Sequence, residues 1–277
     1  MMNPERNIKL YTVNNLYKGS VIKRPSKYIK SPYVADVLLE DGEETIAHTA
    51  SLGCCGMVEQ GSIVYMTKNT NPKTKTKYGV ILSQIKRENI DIIIGIHPKI
   101  AEEIAFEALK QKCIRGLNPK TIKREKTFLQ SRFDFVGQED NGTYYILEVK
   151  NVPLAMERTE PHTLLPSFTT TSTPIKVAYF PDGHRKNKND TVSSRAVKHL
   201  YNLAEIKIKE PRIRTIILFI IQREDVVAFQ PSPHDPVYTE ALHNAHKNGV
   251  EIHTLQVTWN NMVNKCLFLS NNLPILI

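Results

Sequence analysis

Between residues 16 and 86 the chain alternates apolar and polar positions in short runs broken by turn residues, the pattern of half-buried strands. The runs are Leu16–Arg24, Tyr33–Glu40, Glu43–Thr49 after the Asp41-Gly42 turn, Ser62–Lys68 and Lys77–Lys86. Five such strands fit a small barrel of the oligonucleotide-binding type, and a generic β-barrel is compatible too. Beyond Asn89 the period changes. Lys99–Gln111 places Ile100, Ile104, Ala108 and Leu109 at helical spacing behind Pro98, which predicts a helix. Ser193–Lys209 reads as a second helix, capped by its serine and burying Val197, Leu200, Ala204 and Ile208.

Ile213–Ile221 contains a continuous apolar run, typical of a strand covered on both faces. Asp235-Pro236 opens a third helix that stops at Gly249, and Val250–Trp259 returns as a strand. Strand, helix and strand at this spacing make a βαβ unit, so the second half of the chain is expected to be α/β. The fold class is therefore a two-domain α+β protein, with a barrel over residues 1–90 and an α/β domain over 91–277. Glu157–Pro174, rich in Thr, Ser and Pro, reads as a surface loop.

Composition narrows the partners. A net charge of +9 suits a polyanion such as nucleic acid or an anionic membrane surface. No apolar stretch is long enough to span a bilayer and the first residues lack an apolar core, so the expected protein is soluble and intracellular (cytoplasmic or nuclear), not secreted, with no membrane partner. The 4 cysteines make no disulfide framework, which fits a reducing compartment.

The candidate chemistry lies on a hairpin. Arg132–Val136 alternates, with Arg132 and Asp134 expected on one face and Phe133 and Phe135 on the other; Gly137-Gln-Glu-Asp-Asn-Gly142 is turn chemistry; and Glu148 and Lys150 share a side of the returning strand. A simple fold-back sets Asp134 opposite Tyr145 or Ile146, with Glu148 a diagonal neighbour roughly 7–8 Å away. Two carboxylates and an ammonium so placed are what a metal-dependent phosphodiesterase needs, although an exposed strand edge also carries Glu-x-Lys for solubility. Arg195, Lys198 and His199 follow on one helix, where Arg195 and His199, four apart, could meet a phosphate. In the first half, Lys23, Arg24, Lys27, Tyr28, Lys30 and Tyr33, and again Lys73, Lys75, Lys77 and Tyr78, mix bases with aromatics as single-strand binders do. His243 and His246 are three apart but lack a third ligand and read as surface residues.

Ser131-Arg-Phe-Asp-Phe135, Leu147-Glu-Val-Lys-Asn-Val152, Phe180-Pro-Asp182, Arg195-Ala-Val-Lys-His-Leu200 and Gln222-Arg223 occur in the order and setting of the sugar fermentation stimulation protein A family, which the chain resembles. Ala35-Asp36-Val37, Ala47-His48, Gly61-Ser62 and Asn71-Pro72-Lys73 extend the resemblance over nearly the whole chain. It implies an oligonucleotide-binding-like barrel followed by a domain similar to PD-(D/E)-x-K restriction-type nucleases. Carried over, Asp134 and Glu148 look like metal-holding acids, Lys150 like the nuclease-type lysine, and Glu107 like the helical acid that completes the site. Gln222 looks like a residue that contacts the attacking water or caps its strand. Mg²⁺ or Mn²⁺ is the implied cofactor and single- or double-stranded DNA the implied partner, with a second copy of the chain, as a homodimer, left open. The function implied is a DNA-binding protein that cleaves phosphodiesters. The alternative is a non-catalytic DNA-binding regulator of sugar metabolism built on the same scaffold. Thr49-Ala-Ser-Leu-Gly-Cys-Cys-Gly56 departs from the Asn-Thr-Gly segment of many relatives, and Glu157–Pro174 and Gly183–Val192 look like insertions beside the cleft.

Overall fold

The computed structural model describes residues 8–50, 56–87, 90–129, 131–158, 174–183, 190–260 and 262–277. Most of the Thr/Ser-rich stretch, most of 183–192 and the Cys54-Cys55 segment thus lie outside the described residues.

Alternation in the first half produces β2 (Tyr17–Lys23), β3 (Val34–Leu39), β4 (Glu44–Thr49), β5 (Ile63–Lys68) and β6 (Tyr78–Arg87). They hydrogen-bond in the order β4-β3-β2-β5-β6, and a parallel pairing of β4 with β6 (Ala47 with Tyr78, Thr49 with Val80) closes the ring. Closure removes the free edges that five short strands would otherwise expose. Val21, Ala35, Val37, Ala47, Val64, Met66, Tyr78 and Val80 fill the interior. β7 (Ile90–Gly95) then pairs antiparallel with the second half of β6, so the barrel sheet continues past the expected boundary at residue 90. β1 (Lys9–Thr12) pairs instead with β16 (Lys265–Ser270) in the other sheet.

That other sheet has seven strands, in the order β1-β16-β15-β13-β10-β9-β8. Its centre, β10 (Tyr144–Val152), β13 (Arg214–Ile221) and β15 (Glu251–Thr258), is parallel, and antiparallel strands flank it on both sides. The apolar run of β13 divides between the two faces. Ile216, Leu218 and Ile220 pack toward α1 (Pro98–Lys110), whereas Ile217, Phe219 and Ile221 pack toward α2 (Ser194–Lys209) and α3 (Pro236–Lys247). Burial on both sides is why this strand reads as unbroken hydrophobic sequence. A small sheet of β11 (Ala155–Arg158), β12 (Ile175–Phe180) and β14 (Ala228–Pro231) lies beside these layers.

The helix ends follow their caps. Ser193 accepts from the Ala196 backbone N–H at 3.2 Å, and Asp235 from that of Tyr238 at 3.0 Å. α3 ends before Gly249, whose φ of 89° suits a residue without Cβ. One helical expectation fails: Ile208 is 62 % exposed, and Leu203 and Ile206 are buried instead. Only the register of α2 against the sheet distinguishes these three positions.

Polar side chains join the barrel to the α/β unit. Asn260 accepts from the Ile93 N–H at 2.9 Å and donates to the Asp91 carbonyl at 2.8 Å. The Gly95 N–H donates to the Gln222 carbonyl at 3.1 Å. A Cβ on Gly95 would lie 1.9 Å from Gln222 Oε1. Because that amide is fixed by Asn151 and Trp259, it cannot simply swing away. Gly95→Ala is therefore expected to cost about 2–3 kcal/mol by overpacking, seen as a lower urea midpoint with an unchanged m value. A midpoint equal to wild type would show that the junction is slack.

Candidate functional site

β9 (Ser131–Glu139) and β10 form the expected hairpin, turning through Asp140, Asn141 and Gly142. Their register differs from the simple fold-back: Tyr145 faces Gly137, Ile146 faces Val136 and Leu147 faces Phe135. One step further sets Asp134 level with Glu148 rather than diagonal to it. The Asp134 Oδ2 accepts from the Val149 backbone N–H at 2.7 Å, which bridges the strands where ordinary pairing stops. The expected facing of the two phenylalanines is also corrected. Phe133 packs with α2 and α3, whereas Phe135 packs with α1, its ring 6.0 Å from that of Phe106. An interruption beside Asp134, where Glu125 of the neighbouring β8 (Pro119–Phe128) has a φ of 53°, breaks the alternation.

Glu148 is only 3 % exposed. Its Oε1 is held from two sides, by Lys150 Nζ at 2.5 Å and by His199 Nδ1 of α2. Its Oε2 is buried without any hydrogen-bond partner among the described residues. Burial opposes ionisation, but the charges of Lys150 and His199 outweigh it and hold the Glu148 carboxyl below its usual range. Asp134 behaves oppositely. Burial, and then repulsion from Glu148, push it up to about 7 against the pull of Val149 N–H and Lys150. Two like charges in one low-dielectric pocket cannot both ionise freely, so the pair is poised to take up a cation.

Of the acids on α1, Glu107 is not brought to this cluster. Its carboxylate bonds Lys110 and Gln111, each at 2.8 Å, and contact with Lys110 first, then Gln111 and the charge of Lys9, holds it below the usual range. The α1 acid whose charge acts on Asp134 is Glu102. Burial raises its pKa, and Glu125, Glu148 and Glu103 raise it further against Lys99. Glu103 is taken by a two-pronged bond to Arg124, at 2.6 and 2.7 Å. Five residues along a helix is a turn and a half, so Glu102 and Glu107 point in different directions from one axis.

Gln222 follows the last residue of β13. It is fully buried, donating to Asn151 Oδ1 at 2.8 Å and accepting from the Trp259 indole N–H at 3.1 Å. These bonds brace the strand end, one of the two roles open to it. On α2, Arg195 and Lys198 are exposed, whereas His199 is buried against Glu148 and against Phe133, ring centres 5.9 Å apart. His199 thus serves the carboxylate, not a phosphate. Among the described residues no three His, Cys, Asp or Glu side chains converge into a preformed metal cage.

In the barrel, the loop between β2 and β3 and the loop between β5 and β6 border a cleft of about 310 Å³, lined by Ile29, Ser31, His48, Asn69 and Lys75 among others. The ring of Tyr33 stacks on His48 beside it, centres 6.2 Å apart. Tyr28 is 68 % exposed, and Lys30, Lys73 and Lys75 reach solvent. Three of the expected basic contacts are engaged within the protein. Arg24 pairs with Glu59, Lys27 with Glu44 at 2.8 Å and Lys77 with Glu43 at 2.6 Å. Arg24 is the most withdrawn, its side chain only 8 % exposed.

Residues 99–262 match the family described as "Sugar fermentation stimulation protein RE domain". The chain belongs to the sugar fermentation stimulation protein family. A homolog from Clostridium perfringens (strain 13 / Type A) is 34 % identical over 238 residues, covering 85 % of this chain and 87 % of its own. One from Clostridium novyi (strain NT) is 32 % identical over 243 residues, covering 87 % and 90 %. Pyrococcus furiosus SfsA, solved in complex with Ca²⁺, has the same fold, with a TM-score of 0.74 at 20 % identity over 98 % of this chain and 100 % of that one.

Two residues that act on the acidic pair were not singled out for it: the resemblance pointed to Glu107 and not Glu102, and His199 was read with Arg195 as able to meet a phosphate. A signal for His199 did exist: it falls at i+3 from Ala196 and i−4 from Leu203, on the apolar stripe.

Proposed function

We propose that this protein binds DNA and hydrolyses its phosphodiester backbone with a divalent cation held at Asp134 and Glu148. The observation that carries the reading is the orphaned Glu148 Oε2, a buried carboxylate oxygen with no hydrogen-bond partner among the described residues, beside a second carboxylate whose pKa is held unusually high. An unsatisfied buried oxygen is costly unless a ligand meets it. Donors of this kind fit a hard cation such as Mg²⁺ or Mn²⁺, which takes a few carboxylates and completes its shell with waters and substrate phosphate. The Ca²⁺ complex of the Pyrococcus relative supports the same class of ion. Glu102, rather than Glu107, is the helical acid that would join them. Such an ion polarises the phosphoryl group and lowers the pKa of a bound water.

The chain's own groups prepare the rest. His199 and Lys150 fix one Glu148 oxygen, which leaves the other free to bind. The Lys150 ammonium, 2.5 Å from that carboxylate, is close enough to orient a nucleophilic water or to offset charge developing on the phosphate. The Val149 N–H holds Asp134 through Oδ2, which fixes the carboxylate on the hairpin. Exposed Arg195 and Lys198 on α2, and Tyr28, Lys30, Tyr33, Lys73 and Lys75 around the barrel cleft, offer phosphate contacts and stacking surfaces.

Labelled single- and double-stranded DNA incubated with Mg²⁺, Mn²⁺ or chelator tests the reading. Cleavage should require the ion and fall about 10²–10³-fold in Lys150→Ala. Retained binding with no cleavage under any divalent ion would replace this reading with that of a non-catalytic DNA-binding regulator.

A further inference from the structure

The edge of the seven-stranded sheet carries a feature that the acidic cluster does not use. Among the described residues β8 is the last strand, with one side unpaired, and it is the most exposed strand of that sheet. Along it lie Lys120, Lys123 and Lys126, none of them ion-paired among the described residues, whereas Arg124 is consumed by Glu103 and Glu125 stands 3.6 Å from Arg132. Six residues of strand place the outer two lysines roughly 20 Å apart. Beside them opens a groove of about 440 Å³, lined by Lys123, Phe128, Val136, Tyr144, Ile146 and Ile213. Tyr144 is 60 % exposed and Phe128 37 %, so two aromatic rings face solvent in the groove that Lys123 also lines, with Lys120 and Lys126 exposed farther along the same edge strand.

Lysines alone would be explained by protection of an open edge against pairing with another strand. An aromatic groove beside them is not, since exposed rings add to the hazard that edge charges suppress. Bases interleaved with rings are instead the arrangement that holds an unpaired nucleic-acid strand, phosphates on the ammonium groups and bases on the rings. Position agrees with this. Tyr144, Ile146 and Glu148 alternate along β10, so the groove lies on the side of the strand that carries the acidic cluster.

Resting on the reading above that this protein acts on DNA, we infer that the β8 edge and its groove form a second binding surface for single-stranded DNA, separate from the barrel cleft. Along this track a strand places its phosphates against Lys120, Lys123 and Lys126 and stacks a base on Tyr144 or Phe128.

The test is fluorescence anisotropy of a labelled oligonucleotide, single-stranded and as its duplex, in chelator so that nothing is cut, across a salt series. For Lys120→Ala/Lys123→Ala/Lys126→Ala the slope of log K against log salt on the single strand should become shallower by about 2, from a per-phosphate contribution of roughly 0.7. Tyr144→Ala should weaken single-strand binding about tenfold or more with an unchanged slope, while duplex binding stays the same. Both variants should melt as wild type does, since the altered side chains are exposed. If wild type binds the oligonucleotide and either variant matches it in slope and affinity, this surface is not used and the inference falls alone. If wild type binds no DNA in either form, the proposed function falls with it.

Discussion

Glu148→Gln is expected to lower metal-dependent DNA cleavage by at least about 10³-fold, some 4 kcal/mol of lost transition-state stabilisation. The substitution keeps the shape of the side chain and an oxygen that still accepts from Lys150, so it isolates the charge from the packing. What disappears is the anionic Oε2, the one buried oxygen of the site without a hydrogen-bond partner among the described residues. Stability should move much less than activity. Lys150, whose side chain is 12 % exposed, loses a counter-ion, yet Asp134 loses the neighbour that repels it and can serve Lys150 in its stead. Two companions sharpen the test. Glu102→Gln should reduce cleavage roughly 10–100-fold, as loss of a supporting acid does, and Glu107→Gln should leave it unchanged, because that carboxylate faces Lys110 and Gln111. Single-turnover cleavage with melting curves reads all three. A Glu148→Gln protein that cuts within tenfold of wild type would remove the carboxylate from the mechanism, and a Glu107→Gln defect would return the helical role to that residue.

The second large effect is on stability in the absence of metal. Asp134 has a usual value of 3.8 and is pushed up to about 7 in the folded protein, chiefly by burial and then by Glu148. A carboxyl whose folded pKa exceeds its unfolded one binds more protons when folded, so its contribution is present in full below the unfolded pKa and is lost as pH rises toward the folded one. Between about pH 4 and pH 7 this group alone should remove about 3 kcal/mol from the metal-free protein, allowing for relaxation around the site. Asp134→Asn keeps an oxygen for the Val149 N–H but carries no charge to repel Glu148. In chelator, the variant should therefore gain about 3 kcal/mol relative to wild type between pH 4 and pH 8, read from urea unfolding at several pH values. Adding Mg²⁺ at pH 8 should then raise the melting temperature of wild type and leave that of Asp134→Asn nearly unmoved, because only the paired carboxylates gain from a cation. A difference between the two proteins that stays constant with pH would mean that Asp134 ionises without strain and that the two acids are not coupled.

Much of the fold was legible because its signals are local. The five barrel strands, the Ser193 and Asp235 caps and the apolar run Ile216–Ile221 of β13 follow from alternation, capping chemistry and continuous hydrophobicity, each contained within about ten residues. Strands lacking such a signal were missed. β8, reading Pro-Lys-Thr-Ile-Lys-Arg-Glu-Lys-Thr-Phe, is mostly exposed and so has no buried face to impose alternation. β1 has 4 residues and exists as a strand only because β16, more than 250 residues later, pairs with it. The small sheet of β11, β12 and β14 likewise depends on partners distant in sequence.

By itself the sequence determined which chemical groups share one hairpin: Asp134, Glu148 and Lys150, within reach of each other through strand geometry. Only the tertiary structure decided which other groups join them. Glu102 and Glu107 are equivalent as polar positions on α1, and the rotation of that helix, set by Ile100, Ile104 and Ala108 packing on Leu147 and Val149, turns one toward the cluster and the other toward Lys110. His199 became a partner of Glu148 and Gln222 a buried brace because α2 and β13 meet the hairpin from elsewhere in the chain. Local periodicity states which side of its own element a residue occupies, whereas what that side faces is settled by packing energy summed over the whole core.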